Sequence, residues 1–430
     1  MTAVATPPAG AQQQQRTVQA PINWRWPLIY GVLALIALVF FTLLPEGGRE
    51  TNYQVSRGGD LWLIPNFTVP LKATNIVLSV VMLALTAYVV RATAARRKVP
   101  AWVPIVLGIA FVLAFLTWVG AGRATVIPVT TLLSGALALS VPLVFGALSG
   151  VVCERSGIVN IAIEGQLLAG AFLGAVAASL TSSAYLGLVA APLAGAAVGA
   201  VLAFFAVRYW VDQIIVGVVL NVLVIGLTSF LFSTVLTENK ATWNAAQRLP
   251  TLPVPLLSEI PVIGPVLFRQ SLLVYLMYAA VIFLQVFIFR SRWGLRMRSV
   301  GEHPKAADTV GIKVNRTRVV NTILGGAIAG LGGAFFTVGS GLAFGKEMSA
   351  GQGFIALAAM ILGRWNPVGA VAAALLFGFS KNLGNVLSTI GSNVPSEFLL
   401  MLPYAVTIFA VAGLVGRVRA PAAENIPYIK

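Results

Sequence analysis

The stretch that decides the fold is Glu154-Arg-Ser-Gly-Ile-Val-Asn-Ile-Ala-Ile-Glu-Gly-Gln166, which places two carboxylates, two amides and two glycines in surroundings typical of lipid-buried segments. An ionised carboxylate on a helix near the bilayer centre costs about 2.5–3.5 kcal/mol on insertion scales. Glu164 is therefore expected to face protein or a water-filled cavity. The stretch is the first indication of a transport path.

The composition indicates a membrane protein. Of the 430 residues, 58% are hydrophobic and 10% are charged, whereas soluble domains average about 45–50% apolar and 25% charged residues. The mean hydropathy is +0.89. Apolar runs suited to a bilayer lie at 27–45, 74–90, 102–120, 129–150, 161–180, 186–207, 212–236, 272–289, 319–340, 353–363, 367–380 and 396–416.

These runs predict an all-α polytopic protein with about 10–12 transmembrane or half-spanning helices. The runs at 353–363 and 367–380 are too short to span the bilayer untilted. Small residues let helices approach closely in lipid, and four Gly-xxx-Gly pairs favour packing within one subunit over a dimer seam. These pairs are Gly146/Gly150, Gly170/Gly174, Gly195/Gly199 and Gly326/Gly330.

The net charge of +16 could suggest nucleic acid, but the positions of the charges indicate topology. A cytoplasmic N-terminus leaves nine of the 29 Lys and Arg residues outside and the other twenty inside, as the positive-inside rule expects. The nine are Arg49, Arg57, Lys72, Arg123, Lys240, Arg248, Arg269, Lys346 and Lys381. Both termini are therefore predicted to be cytoplasmic, in a multi-pass protein of the inner (plasma) membrane, with lipid and no nucleic-acid polymer as a partner.

The chain divides into four regions. Residues 1–24, with Pro7-Pro8 and a Gln run, are predicted to be a disordered cytoplasmic tail; residues 25–120 add N-terminal helices with an outer loop; residues 125–416 form the main transmembrane domain; and residues 417–430 form a cytoplasmic tail. The outer loop 237–271 is taken as a plain loop in preference to a binding surface. With one cysteine, Cys153, and one histidine, His303, no disulfide, metal or cofactor is predicted.

The longest inner loop, 290–318, predicts a short cytoplasmic helix. Pro304 suits a first helical position and Gly311 a left-handed C-terminal cap. Ala306 and Ala307 are expected to be exposed and to suit close docking in the groove of a partner. A solvated loop remains the alternative.

Three stretches together resemble the permease subunits of bacterial ABC transporters for nucleosides and simple sugars, within the ribose and branched-chain amino acid permease superfamily. They are the first motif, 154–165; the coupling segment, Arg298-Ser-Val-Gly-Glu-His-Pro-Lys-Ala-Ala307 with Gly311; and the third motif, Gly353-Phe-Ile-Ala-Leu-Ala-Ala-Met-Ile-Leu-Gly-Arg-Trp-Asn-Pro367. The resemblance covers about 125–416. Ala162 replaces a glycine often found in the family, and Gln166 stands where the two paralogous permeases differ.

The resemblance implies a set of partners. A second, paralogous permease subunit completes the pathway, and an extracytoplasmic substrate-binding (lipo)protein delivers substrate. ABC ATPase subunits bind the coupling residues, which are Gly301, Glu302, His303, Pro304, Ala306, Ala307 and Gly311. The sequence agrees that ATP hydrolysis occurs elsewhere: in the nearest P-loop match, Ser340 replaces the first glycine and Glu347 replaces the hydroxyl residue. The chain is therefore predicted not to be an enzyme.

The candidate substrate pathway consists of Asn160, Glu164, Gln166 and Asn221. If residues 158–170 are helical, Asn160 and Glu164 share a face and could hold sugar hydroxyls or a base edge. A buried structural network that pins a broken helix is the competing interpretation. Two other functions stay open: a secondary transporter that uses Glu164 as a proton or ion site, and a membrane scaffold without transport.

Overall fold

The computed structural model describes residues 24–56, 58–123, 125–245, 247–390, 401 and 419–430. Helices dominate this part of the chain. They are α1 (Arg25–Ile36), α2 (Leu71–Ala94), α3 (Trp102–Gly120), α4 (Val129–Glu154), α5 (Ile163–Thr181), α6 (Ala184–Ala203), α7 (Gln213–Leu231), α8 (Lys240–Trp243), α9 (Leu272–Arg290), α10 (Arg292–Glu302), α11 (Pro304–Thr309), α12 (Val314–Gly333), α13 (Gln352–Leu362) and α14 (Pro367–Thr389). Four of them continue as π-helical turns, at Ala37–Leu43, Phe204–Arg208, Phe232–Leu236 and Phe335–Gly339.

Ten helices in the described ranges are long and apolar enough to span a membrane, and α13 is a shorter apolar helix. The prediction of an all-α polytopic membrane protein is confirmed. The predicted run at 396–416 lies outside the described residues except for Met401, as does the predicted tail 1–24 except for Trp24.

The expectation that run 367–380 is too short to span was wrong, because α14 extends to Thr389. The polar residues beyond 380 looked like the end of a helix. The side chain of Asn382 is instead buried and donates a hydrogen bond to the carbonyl of Leu132, 2.7 Å away. A polar residue that finds a partner on a neighbouring helix does not interrupt the span.

The chain forms two compact units. The first comprises the described residues up to Arg49 together with Pro70–Trp118. Its apolar core includes Tyr30, Phe41 and Met82. A polar cluster is buried in it: the Thr42 and Ser79 hydroxyls lie 3.0 Å apart, and the Asn75 amide donates to the carbonyl of Phe41 at 2.8 Å. These bonds satisfy polar groups that would find no hydrogen-bonding partner in lipid.

The second unit comprises Glu50–Val69 and Val119–Lys430. Its strands are short: β1 (Glu50–Gln54), β2 (Phe67–Pro70), β3 (Ile127–Pro128), β4 (Thr251–Pro253) and β5 (Arg269–Ser271). The strand order in the first sheet is β2-β1-β3, and β1 runs parallel to β3 with Tyr53 opposite Ile127; β4 and β5 pair antiparallel. Residues 50–69, which lie in the loop between α1 and α2, thus belong to the second unit.

The four Gly-xxx-Gly pairs pack within the subunit, as expected. The backbones of α6 and α12 meet where Gly195 contacts Gly326 and Gly330, and a side chain on Gly195 would collide with these backbone atoms. The other contacts follow the same rule: Gly170 lies on Gly330, Gly174 faces the backbone of Gly187, Gly146 faces Ala356, Gly150 faces Met360, and Gly199 faces Thr322. Close glycine contacts hold α12 against α5 and α6, and α13 against α4.

Candidate functional site: the junction of the three motifs

The first motif is the break between α4 and α5. Residues 155–162 are not helical, yet nearly all of them are buried. Irregular backbone at membrane depth needs partners inside the protein. The side chain of Gln213 accepts the N–H of Val159 at 2.7 Å. Gly157, at φ +90°, makes the turn, because this left-handed conformation is strained for residues with a side chain.

Asn221 fixes the start of α5. Its amide donates to the carbonyl of Ile161 at 2.8 Å, and its carbonyl oxygen accepts the N–H of Gly165 at 2.8 Å. One side chain thus replaces two backbone partners that the missing helical turn would have supplied. These two bonds join α7 to the break and to the first turn of α5.

Asn160 and Gln166 form a buried amide pair. The Asn160 amide donates to Oε1 of Gln166 at 3.0 Å, and the Gln166 amide donates back to Oδ1 of Asn160 at 3.1 Å. The Asn160 amide also donates to the hydroxyl of Ser149 at 3.0 Å. The premise that placed Asn160 and Glu164 on one helical face was wrong, because α5 begins only at Ile163.

Glu164 lies in the first turn of α5 and binds the start of α13. Its Oε1 accepts the hydroxyl of Ser349 at 2.6 Å and the N–H of Gly351 at 2.8 Å. Its Oε2 accepts the N–H of Gly353 at 2.6 Å. The N-terminal ends of α5 and α13 both lie at this carboxylate, and helix N-termini stabilise negative charge. The side chain is 4% exposed, so the carboxylate ties the first motif to the third.

Glu154 makes a second link between the same two motifs, at the other end of the break. Its Oε2 accepts the indole N–H of Trp365 at 2.5 Å. The next residue, Arg155, donates from Nε to the carbonyl of Trp365 at 3.0 Å. The Glu154 carboxyl also faces the carboxyl of Glu424, and the two repel each other when both are ionised. The backbone N–H of Asn160 also donates to Glu154. Glu154 therefore has two neutral donors and one acidic neighbour.

The coupling segment packs on the first motif. Gly301 touches the carbonyl of Arg155 so closely that any side chain at 301 would collide with it. The guanidinium groups of Arg155 and Arg298 both lie over the ring of Phe289, at 5.6 and 5.3 Å from its centroid. All three motifs quoted from the sequence therefore meet at one place, which we call the motif junction.

The surface of the coupling segment differs from the expectation at one residue. Pro304 starts α11 and Gly311 takes a left-handed φ of +83° just beyond it, as predicted. Glu302, His303 and Ala306 are exposed. Ala307 was expected to be exposed and is not: it is 3% exposed and packs with Val300, Val314 and Tyr428. The short helix turns Ala307 inward, into an apolar cluster that includes Tyr428.

Sequence reasoning missed the partners of the two carboxylates. Ser349, Gly351 and Glu424 attracted no attention, since they lie 185 or more positions away from the residues they face. The available signal was the carboxylate itself, which requires donors in a membrane. Within the described ranges, no group of three or more His, Cys, Asp and Glu side chains is arranged to hold a metal ion.

Comparison with known proteins gives the family. Residues 132–411 match the family described as "Branched-chain amino acid transport system / permease component". The chain belongs to this family. It is thus a multi-pass inner-membrane protein and the permease component of an ABC transporter. No solved structure matches it.

Its relatives include nucleoside permeases. It is 38% identical over 309 residues to the guanosine ABC transporter permease protein NupQ of Bacillus subtilis, which covers 68% of this chain and 95% of the relative. It is 40% identical over 303 residues to the nucleoside ABC transporter permease protein NupC of Lactococcus lactis, with the same two coverages, 68% and 95%. The guanosine ABC transporter permease protein NupP of Bacillus subtilis is more distant, at 28% over 294 residues, 66% of this chain and 83% of the relative.

Proposed function

We propose that this chain is the transmembrane subunit of an ATP-driven importer for nucleosides or related simple sugars, which an extracytoplasmic binding protein delivers. The relatives NupQ and NupC carry guanosine and nucleoside in their names and are covered over 95% of their length. The first motif and the coupling segment, which carried the resemblance, pack directly on each other. ATP hydrolysis is assigned to separate ATPase subunits.

The observation that carries the proposal is the link from the coupling segment to the break between α4 and α5. Gly301 rests on the carbonyl of Arg155, and Arg155 in turn donates to the carbonyl of Trp365. A displacement of α10 by a bound ATPase would reach the first and third motifs without an intervening flexible loop. That is the mechanical requirement for a permease driven from the cytoplasm.

The other partners follow from the same comparison. NupQ and NupP are both named as permeases for guanosine in one organism. We propose that this chain works with a second, paralogous permease and itself corresponds to the NupQ type, to which it is more similar. ATPase binding is assigned to the coupling residues, with His303 and Ala306 on the exposed surface and Ala307 supporting them from below.

The assignment of Asn160, Glu164, Gln166 and Asn221 to the substrate pathway stays a prediction. Each of the four is buried and hydrogen-bonded to protein. We propose that they hold the shape of the pathway wall. The secondary-transporter alternative needs Glu164 as a proton or ion site, but three protein donors already occupy its oxygens. The scaffold alternative leaves the link through Gly301 without a purpose.

Uptake by a strain that lacks this gene and carries a plasmid copy tests the proposal. We expect the wild-type copy to restore uptake of radiolabelled guanosine, and Ala306→Arg to lower uptake at least tenfold and to lose the ATPase subunit on purification. Ala95→Arg is the control, because Ala95 is also an exposed alanine and is predicted to face the same side. Normal uptake and ATPase retention with Ala306→Arg would show that the docking assignment is wrong. If the wild-type copy restores no guanosine uptake, guanosine is not the substrate, and other nucleosides and simple sugars are then tested in the same strain.

A further inference from the structure

Residues 419–430 are the described part of the predicted cytoplasmic tail 417–430, and they are held in place along their length although they form no helix or strand. We call them the strap. The N–H of Ala423 donates to the carbonyl of Gly301 at 2.8 Å, and the N–H of Ala422 donates to Oε2 of Glu302 at 3.3 Å. The strap therefore binds the coupling segment at the residue that rests on the first motif.

Further contacts fix the strap on the neighbouring elements. The Asn425 side chain accepts the N–H of Gln213 at 3.3 Å and donates to Oδ2 of Asp212 at 3.2 Å, at the start of α7. Lys430 pairs with Asp308 of α11 at 3.2 Å. The ring of Tyr428 lies in the apolar cluster that covers Ala307. Four elements, α7, α10, α11 and α12, are thus bridged by one short segment.

Arg318 is the strongest anchor. It is 2% exposed and is the largest fully buried side chain among the described residues. Its Nη1 donates to the carbonyl of Ile426 at 2.8 Å and its Nη2 to that of Ala423 at 3.3 Å. A buried cation that loses its partners is strongly destabilising, so these carbonyls are structural requirements of α12. Gly157 of the first motif leaves space for the guanidinium, since a side chain there would contact Nη2.

Glu424 adds a proton-dependent contact. It faces Glu154, and its Oε2 is buried without a hydrogen-bond donor. Burial raises the pKa of the Glu424 carboxyl to about 7, and its hydrogen bond with Glu154 opposes that rise. One proton between the two carboxyls turns repulsion into a hydrogen bond. The other charged groups around the strap are Arg155, Arg298, Glu302, Arg318, Asp212, Asp308 and Lys430.

We propose that the strap positions the coupling segment for transport: it clamps α10 and α11 to the first motif and to α12, so that ATPase-driven motion moves these elements as one body. This role rests on the proposed function. Arg318, Glu424 and Tyr428 are positioning residues that act through the coupling segment. Without the strap, α11 loses its apolar cover and the coupling segment moves independently of the break between α4 and α5.

Tyr428→Ala in the intact transporter complex tests the proposal, with Ile429→Ala as the control because Ile429 is 61% exposed and lies next to the anchoring ring. Two quantities are measured: hydrogen exchange of residues 419–430, and guanosine transported per ATP hydrolysed in proteoliposomes. We expect Tyr428→Ala to raise exchange in the strap at least tenfold and to lower the transport ratio several-fold, with the ATPase subunit retained. Ile429→Ala is expected to leave both unchanged.

Each outcome decides a separate point. Unchanged exchange in Tyr428→Ala would overturn the anchoring, and a released strap with an unchanged transport ratio would overturn the positioning role. Glu424→Gln supplies a second variant. Its amide can donate a hydrogen bond to Glu154 but does not titrate, so this variant is expected to keep the wild-type transport ratio. A lowered ratio of guanosine transported per ATP hydrolysed in Glu424→Gln, with unchanged hydrogen exchange in the strap, would also contradict the proposal. A wild-type complex that moves no guanosine refutes the substrate assignment, while the exchange result still stands.

Discussion

Glu154 and Glu164 belong to the same motif and both are buried, at 3% and 4% exposure, but their surroundings differ. Glu164 receives one hydroxyl and two backbone N–H groups at the start of a short helix. Glu154 receives the indole N–H of Trp365 and the backbone N–H of Asn160, and it faces another carboxyl, that of Glu424. The hydrogen bonds of Glu164 therefore come from neutral donors, whereas Glu154 also meets another carboxyl.

The difference indicates two kinds of joint in one motif. The Glu164 joint binds the third motif through one hydroxyl and two backbone N–H groups, none of which is a carboxyl. The Glu154 joint lies beside the coupling segment and includes Glu424 of the strap, whose protonation depends on pH. We infer that Glu164 is the fixed anchor of the motif junction and that the Glu154 end is its adjustable one.

The largest effect is expected at the anchor. Glu164→Leu leaves three donors in a buried site without an acceptor, and each unsatisfied group costs about 1–3 kcal/mol. We expect loss of insertion or assembly, measured as the yield of monodisperse complex. Glu164→Gln keeps the volume and one acceptor, so it is expected to assemble with lowered uptake. Equal loss of assembly in both variants would indicate a purely structural role. Normal uptake in both would show that transport does not depend on Glu164.

A smaller effect is expected at the adjustable end. Trp365→Phe removes the single indole donor of Glu154 and is expected to lower the stability of the complex by about 1–3 kcal/mol, measured by thermal unfolding in detergent. Trp210→Phe is the control, because Trp210 is 49% exposed. A loss of stability as large as that of Glu164→Leu would show that Glu154 and Glu164 contribute equally to stability. That result would contradict the difference proposed between them.

The smallest effect on stability, and the clearest effect on pH dependence, is expected from Glu424→Gln. In the docked strap the pKa of Glu424 is raised to about 7 from its ordinary 4.5. The docked state therefore binds the proton more tightly, so strap docking is strongest below about pH 4.5 and weakens as pH rises through about 7. Glu424→Gln has no proton to lose, and its strap is expected to be equally protected at pH 6 and pH 8. A variant that keeps the wild-type pH slope would place the titrating group elsewhere.

The sequence predicted the spans well because hydropathy over about 20 residues reports directly on the bilayer. It also predicted the special residues of the coupling segment, since Pro304 and Gly311 have local conformational preferences. It failed where partners are distant. Nothing local indicates that Glu164 binds Gly353, or that Ala307 packs in a cluster with Tyr428. Side-chain pairing across α4, α5, α12 and α13 depends on the packed structure, as does the strap.

The most direct test compares two sets of backbone amides in one sample of the wild-type complex. Gly351 and Gly353 donate to Glu164, and Ala423 of the strap donates to Gly301. Hydrogen exchange at pH 6 and pH 8, corrected for the chemical exchange rate, gives the protection of each amide. We expect unchanged protection at Gly351 and Gly353, which lie at Glu164 and not at Glu424. At Ala423 we expect a several-fold loss at pH 8, less than the roughly tenfold of a fully buried group, since Glu424 is only half-buried. Parallel changes in both sets, or a loss confined to the two glycines, would contradict the division into a fixed and an adjustable joint.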